Sequence, residues 1–276
     1  MEQSLHLKSI KCCNLPTALH IASDAGFKGV EIADYMLYEF FDVGFNVNDL
    51  KTLLQQNQLS AQCINDVLGC ESMAYGNRMA AVKQMNFFSD IAHEIGCDTI
   101  QVCPLCELEG LPQQQIIKST AYNIRQLADI AGQKNIRLQI ETVAWSPINS
   151  LSKGIMLLDE IQRDNVGITI DFWHLWAAGG TTPDELALFD KKKMGNIHFC
   201  DGIRPENGEK WNENIQRGFL PGDGDIPLKE WAAAVKATGY DRPWSIELIS
   251  TKYWQCDSYD VAKQLYEGME KYVSDM

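Results

Sequence analysis

Eight short apolar segments rich in β-branched residues alternate with amphipathic helical stretches along the whole 276-residue chain. Strict alternation of this kind predicts right-handed βαβ units, whose strands pair in parallel. Eight such units in about 250 residues match the size of a (β/α)8 barrel. We therefore predict a TIM barrel, an α/β fold with one parallel eight-stranded sheet, which forms a single domain over residues 1–276.

The eight predicted strands fall in LHLKSI, KGVEIAD, LSAQCIND, DTIQVCPL, IRLQIETVA, VGITIDFWH, GNIHFCD and WSIELIS. A helical segment follows each strand. Gly26 is typical of a helix C-terminus, while Asn46 or Asn48, and Thr181 or Thr182, are typical of N-caps. A doubly wound open sheet is the alternative fold. It would usually carry a glycine-rich phosphate loop after its first strand, and SIKCCNLPT contains no glycine.

Composition excludes several classes of function. The net charge is −13, with 37 acidic and 24 basic residues, so a nucleic-acid partner is not expected, because phosphate backbones require clustered Lys and Arg. No apolar run approaches the roughly 20 residues of a membrane span, and the first residues lack the pattern of a signal peptide. Nine scattered cysteines favour a reducing compartment, the cytoplasm. Cys103 and Cys106 have CxxC spacing, but no second pair completes a zinc site.

Four consecutive predicted strands end in side chains that can bind a metal ion. Strand five ends in Glu141, strand six in Asp171, strand seven in His198 and strand eight in Glu247. The carboxyl ends of barrel strands meet at one rim, where TIM barrels carry their chemistry. Carboxylates that converge there would repel each other unless a cation compensates them. The sequence therefore predicts one divalent metal ion, with Mn²⁺, Zn²⁺, Co²⁺ or Mg²⁺ all chemically reasonable.

Further polar and aromatic residues follow the same strand ends. His174 lies three residues after Asp171, and Asp201 three after His198, so each could face substrate or support the metal. Arg217 begins the turn-rich segment RGFLPGDGDIP, and it could bind substrate oxygens or lie at the surface. We take His174, Asp201, Arg217, Glu31 and Trp173 as substrate-binding candidates. Asp66 could line the same pocket, whereas His6, His20 and His93 are interpreted as structural.

These residues and their order resemble the xylose isomerase-like barrel family of sugar phosphate isomerases and epimerases, which also contains endonuclease IV. The resemblance runs from GFKGVEIA to the last helix, and residues 165–250 are particularly similar to its inosose isomerase branch, which acts in myo-inositol catabolism. It implies that the four strand-end ligands hold one metal ion and that His174 contacts substrate. It also implies that Glu141 and Glu247 act as acid and base. The chain has five histidines, fewer than the three-zinc site of endonuclease IV needs.

The resemblance predicts a metal-dependent isomerase or epimerase of a keto-polyol or ketose, in which a proton moves through a metal-stabilised enediolate. A dehydratase of inosose or 3-dehydroshikimate would use the same site and differ by a leaving group. A non-catalytic barrel subunit or sugar-binding protein is the third interpretation. We expect a small sugar or cyclitol as partner, and we leave homo-oligomerisation open.

Overall fold

The computed structural model describes residues 2–274, and its eight strands close into one parallel barrel in chain order. The predicted fold class is therefore confirmed. β1 follows directly after β8 around the closed sheet, so no strand is left at an edge. The strands are β1 Gln3–His6, β2 Gly29–Ala33, β3 Ser60–Leu68, β4 Thr99–Cys103, β5 Arg137–Glu141, β6 Val166–Asp171, β7 Met194–Phe199 and β8 Trp244–Ile246.

Eleven α-helices connect the strands within residues 2–274, three more than the sequence predicts. They are α1 Leu15–Ala25, α2 Asp34–Asp42, α3 Val47–Gln56, α4 Tyr75–Ile95, α5 Gln113–Gly132, α6 Leu151–Ile161, α7 Phe172–Ala178, α8 Pro183–Ala187, α9 Glu213–Gln216, α10 Leu228–Ala237 and α11 Ser258–Val273. The unpredicted ones are α2, α7 and α9. Among the described residues, no helix combines the length and hydropathy of a membrane span.

Local chemistry accounts for most helix ends. Asn46 forms a capping box with Asp49 at the start of α3, and Thr182 forms one with Glu185 at the start of α8. Gly26 ends α1 in the left-handed conformation, which glycine adopts without a steric penalty. The predicted first strand runs too far: β1 ends at His6, and residues 7–10 form a 3₁₀ turn.

The strands alternate apolar residues toward the helices with polar residues toward the barrel axis. In β6, Ile168 and Ile170 belong to the hydrophobic core between sheet and helices. Thr169, between them, faces the axis, where its hydroxyl lies 3.4 Å from the Gln101 side-chain oxygen. Because the side-chain direction repeats every second residue, Asp171 also faces the axis. The sequence pattern thus places a polar side chain at the carboxyl end of β6, and β5 does the same with Gln139 and Glu141.

Candidate metal centre and substrate cavity

The barrel brings the four predicted metal ligands together at its carboxyl rim. Glu141 pairs in register with Thr169, two residues before Asp171, and Asp171 pairs with His198. His198 in turn pairs with Ser245, two residues before Glu247. This progressive stagger is the shear that closes a barrel. It places four side chains from four neighbouring strands at one level.

The four side chains have the spacing of a single-ion site. One donor atom from each of Glu141, Asp171, His198 and Glu247 lies within 4.8 Å of the others. His198 Nδ1 is 3.1 Å from a Glu141 oxygen, 3.1 Å from a Glu247 oxygen and 3.6 Å from an Asp171 oxygen. Metal–ligand distances of about 2.0–2.2 Å keep donor atoms within about 4.4 Å of each other. Three carboxylates and one imidazole therefore fit one divalent cation.

Arg217 lies directly against this cluster. Its side chain is 2% exposed, and one guanidinium nitrogen contacts carboxylate oxygens of both Asp171 and Glu247. Burial raises the pKa of these two carboxyl groups, but the Arg217 guanidinium together with the neighbouring histidines lowers both pKa values below their ordinary range. These two candidate ligands are therefore ionised, which is the form of a carboxyl group that binds a cation.

Glu31, a substrate-binding candidate from the sequence, does not line the cavity described below. It is fully buried beneath the ligands, and one oxygen lies 3.2 Å from His198 Nε2, on the ring edge away from the metal-binding side. Asn65 and Asn196 donate to its two oxygens at 2.6 and 3.0 Å. Burial raises the pKa of Glu31, but His198 lowers it to about 2. A carboxylate bound to the second nitrogen of a ligand histidine fixes the ring orientation.

His6, interpreted as structural from the sequence, also belongs to this cluster. Its Nε2 lies 3.4 Å from a Glu247 oxygen and 2.6 Å from the Asn65 amide nitrogen. Its ring packs edge-on against that of His198. The signal that would have identified it is its position at a strand end. The prediction missed this because it extended the first strand to residue 10.

A cavity of about 350 Å³ opens above the ligands. Glu141, Glu247, His174 and Arg217 line it, so both members of the predicted acid–base pair and two of the substrate-binding candidates face the same space. Lys8, Asp34 and Glu213 were not singled out from the sequence, and they lie in the 3₁₀ turn after β1, at the start of α2 and in α9. The wall consists of Lys8, Asp34, Asp66, Leu68, Cys103, Leu105, Glu141, Val143, Trp145, His174, Glu213, Arg217, Glu247 and Ile249.

The start of α7 positions His174 in the cavity. One Asp171 oxygen accepts the His174 backbone N–H at 2.8 Å and so caps the helix. The Ala144 backbone N–H lies 3.2 Å from His174 Nδ1, and Arg217 lies 3.4 Å from Nε2. The two oxygens of Asp171 therefore have different contacts. One faces the ligand cluster, and the other accepts the backbone N–H of His174 at the start of α7.

Two predicted substrate contacts lie away from the cavity. Asp201 accepts backbone N–H groups of Gly202, Gly222, Gly224 and Ile226 at 2.8 to 3.3 Å, which fastens the segment from 218 to 227 to the end of β7. Three of these four hydrogen bonds go to the loop, and the fourth goes to the adjacent Gly202. Trp173 is fully buried and donates to the Ile203 carbonyl at 2.9 Å. Neither residue lines the cavity.

Cys103 and Cys106 are free thiols, as are the other seven cysteines. Cys103 reaches the cavity wall and lies 3.2 Å from a Glu141 oxygen. Burial and the neighbouring Glu141 raise the pKa of its thiol well above the ordinary value, so it is a thiol that donates to Glu141. The CxxC spacing reflects the end of β4, as the sequence interpretation expected.

Comparison with known proteins identifies a family for this chain, together with similar enzymes and a similar solved structure. The family model described as xylose isomerase-like TIM barrel matches residues 19–272. A 3-dehydroshikimate dehydratase of Pseudomonas aeruginosa is 26% identical over 86% of this chain, which spans only 36% of that protein's length. An inosose isomerase of Bacillus velezensis is 22% identical over 95% of this chain and 92% of its own. A crystal structure of an IolI protein with a zinc atom has a TM-score of 0.92 at 20% identity, with 99% and 98% of the two chains covered.

Proposed function

The chain belongs to the xylose isomerase-like TIM barrel family, and from this premise we propose that it is a divalent-metal-dependent isomerase or epimerase of a keto-polyol or ketose. The observation that carries the proposal is the set of four buried ligands at the floor of a cavity that two of them, Glu141 and Glu247, also line. Cavities of this volume accommodate small ligands. The similarity to inosose isomerase over nearly the whole chain supports an inosose-like substrate.

The metal ion, when bound, would supply positive charge that stabilises the enediolate formed from a ketone and its neighbouring hydroxyl. Glu141 and Glu247 come from β5 and the end of β8, and both face the cavity. One of them removes the proton from the carbon beside the ketone, and the other returns a proton to the same or the adjacent carbon. His174 and Arg217, on the same wall, orient substrate oxygens.

A dehydratase of inosose or 3-dehydroshikimate is the second candidate, and Glu213 is the observation that favours it. Its side chain lines the cavity 3.9 Å from Arg217, and burial raises its pKa. A raised pKa increases the fraction of a carboxyl group that carries a proton, and that protonated form could protonate a leaving hydroxyl. The similarity to the Pseudomonas dehydratase supports this candidate. A non-catalytic barrel is disfavoured because the complete ligand set lies in one place.

The experiment that separates these functions is NMR of inososes, ketohexoses and 3-dehydroshikimate incubated with the Mn²⁺- or Mg²⁺-loaded protein in D₂O, with the paramagnetic ion removed before the spectra. We expect deuterium at the carbon beside the ketone, with no loss of water. A new alkene signal would instead identify a dehydratase. No change in any substrate, with metal bound, would contradict both enzymatic proposals.

We also place the protein in the cytoplasm, which its nine unpaired cysteines support. The partners we propose are small sugars or cyclitols and no nucleic acid, in keeping with the strongly acidic composition.

A further inference from the structure

One end of the cavity has no part in the proton transfer just described. Lys8, Asp34 and Asp66 line it. Lys8 and Asp34 follow β1 and β2, and Asp66 lies near the carboxyl end of β3. In an eight-stranded barrel these strands lie across the axis from β6 and β7, which position His174 and Arg217. A substrate held over Glu141 and Glu247 therefore presents its far side to Lys8 and the two aspartates. We call this set of three residues the Lys8 end.

Both backbone polar groups of Lys8 are hydrogen-bonded at this wall. Its backbone N–H donates to His6 Nδ1 at 3.2 Å, and its carbonyl accepts from the Trp254 indole at 3.0 Å. Its ammonium nitrogen lies 3.4 Å from an Asp66 oxygen. The ammonium group is thus a donor beside a carboxylate acceptor, and Asp66 already compensates its charge.

The charge around the cavity is strongly negative. Two basic side chains, Lys8 and Arg217, face six carboxylates, and a divalent ion would leave the formal charge two units negative. A cleft of one sign repels ligands of that sign, and each basic group is already in contact with a carboxylate. The six carboxylates are those of Asp34, Asp66, Glu141, Asp171, Glu213 and Glu247.

We propose that the Lys8 end is a hydroxyl-binding subsite that selects uncharged polyhydroxylated ketones and rejects carboxylated or phosphorylated ones. A hydroxyl group both donates and accepts a hydrogen bond, so vicinal hydroxyls match an ammonium donor between aspartate acceptors. Lys8 donates to one hydroxyl oxygen, and Asp34 and Asp66 accept from its neighbours. This inference rests on the proposed function and names the substrate class for the same site.

The test compares a ketohexose with the keto-hexuronate that differs only by a terminal carboxylate, such as tagatose with tagaturonate. Deuterium exchange by the metal-loaded protein gives kcat/KM for each. We expect the uncharged member to be preferred about tenfold or more, which corresponds to about 1.4 kcal/mol per factor of ten. Asp34→Asn and Asp66→Asn should each reduce the ratio of kcat/KM for the uncharged sugar to that for the uronate, because each removes one negative charge from the subsite. Lys8→Met should raise KM for the uncharged sugar more than it lowers kcat.

The control variant is Asp42→Asn, which makes the same charge change at the exposed end of the helix that Asp34 begins. It should leave the preference unchanged, and an equal effect of Asp42→Asn and Asp66→Asn would overturn the subsite. Equal or better exchange with the uronate would also overturn it, while the isomerase proposal stands.

A calorimetric titration separates failure of the subsite from failure of the proposed function. The ligands are myo-inositol and glucuronate, which carry no ketone. If no ketone exchanges deuterium but myo-inositol still binds more tightly than glucuronate, the isomerase proposal fails and the subsite stands. If glucuronate binds at least as tightly, the subsite is contradicted regardless of turnover.

Discussion

Glu141 and Glu247 are proposed both to bind the metal ion and to move protons. Replacing one oxygen of each carboxylate with an amide nitrogen separates these roles. Glu141→Gln and Glu247→Gln keep an oxygen donor but cannot accept a proton. We expect turnover to fall by about 10²- to 10⁴-fold at saturating metal, the usual contribution of a positioned acid or base. The measurement is deuterium exchange, with metal content determined on the same samples.

Glu109→Gln is the matched control, because Glu109 is an exposed glutamate that does not line the cavity. It should retain wild-type turnover. Full activity in Glu141→Gln or Glu247→Gln would remove that residue from the acid–base role.

Substitution of Glu31 tests whether a buried carboxylate beneath the proposed ligands changes the metal affinity without contacting the ion. Glu31→Gln keeps the size of the side chain but removes the charge that faces His198 Nε2. We expect metal affinity to fall by about 10- to 100-fold, as for other partners of ligand histidines. Competition with a coloured chelator measures this affinity, and circular dichroism checks the fold. Unchanged affinity, equal to that of the exposed-site variant Glu39→Gln, would show that Glu31 has only a packing role.

At the level of elements, the side chains near the carboxyl ends of β5, β6 and β7 could be predicted from the sequence, whereas helices α2, α7 and α9 could not. Asp171 ends an apolar run, so its place at the rim follows from the period of the strand. The residues after it, Phe172 to Ala178, form α7, but their aromatic composition also suits a strand. Uncertainty about where a strand ends also extended the predicted first strand to residue 10. The position of His6 at the end of β1 was therefore not recognised. Ala33, which precedes α2, forms no side-chain cap that a reader of the sequence could detect.

The loop fastened by Asp201 gives a prediction for an element. A Cβ at Gly224 would lie 2.4 Å from an Asp201 oxygen and 2.6 Å from the Gly202 nitrogen. Gly224→Ala must therefore displace the loop from Asp201. We expect a loss of about 1–3 kcal/mol in the free energy of unfolding, typical of overpacking, and faster hydrogen exchange at the amides of Gly222 and Ile226.

Gly76 in the first turn of α4 is the control glycine, since a Cβ there meets no atom within 4 Å. Gly76→Ala should be neutral or stabilising, because alanine favours helix. If Gly224→Ala leaves hydrogen exchange in the loop unchanged, Asp201 does not hold it.

At the scale of the whole molecule, the barrel was predictable because the strand-then-helix pattern repeats eight times. An error in the bounds of one strand or helix does not change the number of repeats. The metal ligands share this advantage, since each occupies an equivalent position in its strand. The contacts of Asp201, Trp173 and Glu31 were not predictable, because they depend on which side chain lies under or behind another across the barrel. Sequence spacing places these residues near the rim but does not fix the direction in which each one points.

Metal binding should couple the stability of the whole barrel to pH through His198. Burial lowers the pKa of this imidazole, but the surrounding carboxylates Glu31, Glu247, Asp171 and Glu141 together raise it well above 6.5. In the metal-free protein, its contribution to stability is complete below the unfolded pKa and is lost as the pH rises through the folded pKa. A metal ion binds only the neutral ring, so binding releases a proton. Metal affinity should therefore increase by up to about tenfold per pH unit between 6.5 and the folded pKa.

The measurement is the unfolding temperature with saturating chelator and with a fixed free metal concentration, at pH 6 and pH 8. A free concentration 100 times the dissociation constant adds about 2.7 kcal/mol of stability, so the gain should be larger at pH 8, where the dissociation constant is lower. Calorimetric titrations in buffers of different ionisation enthalpy should count about one proton released per ion. His198→Ala should lose both the stabilisation and its pH dependence. A metal-induced gain that is equal at the two pH values would show that His198 is already neutral before the ion binds.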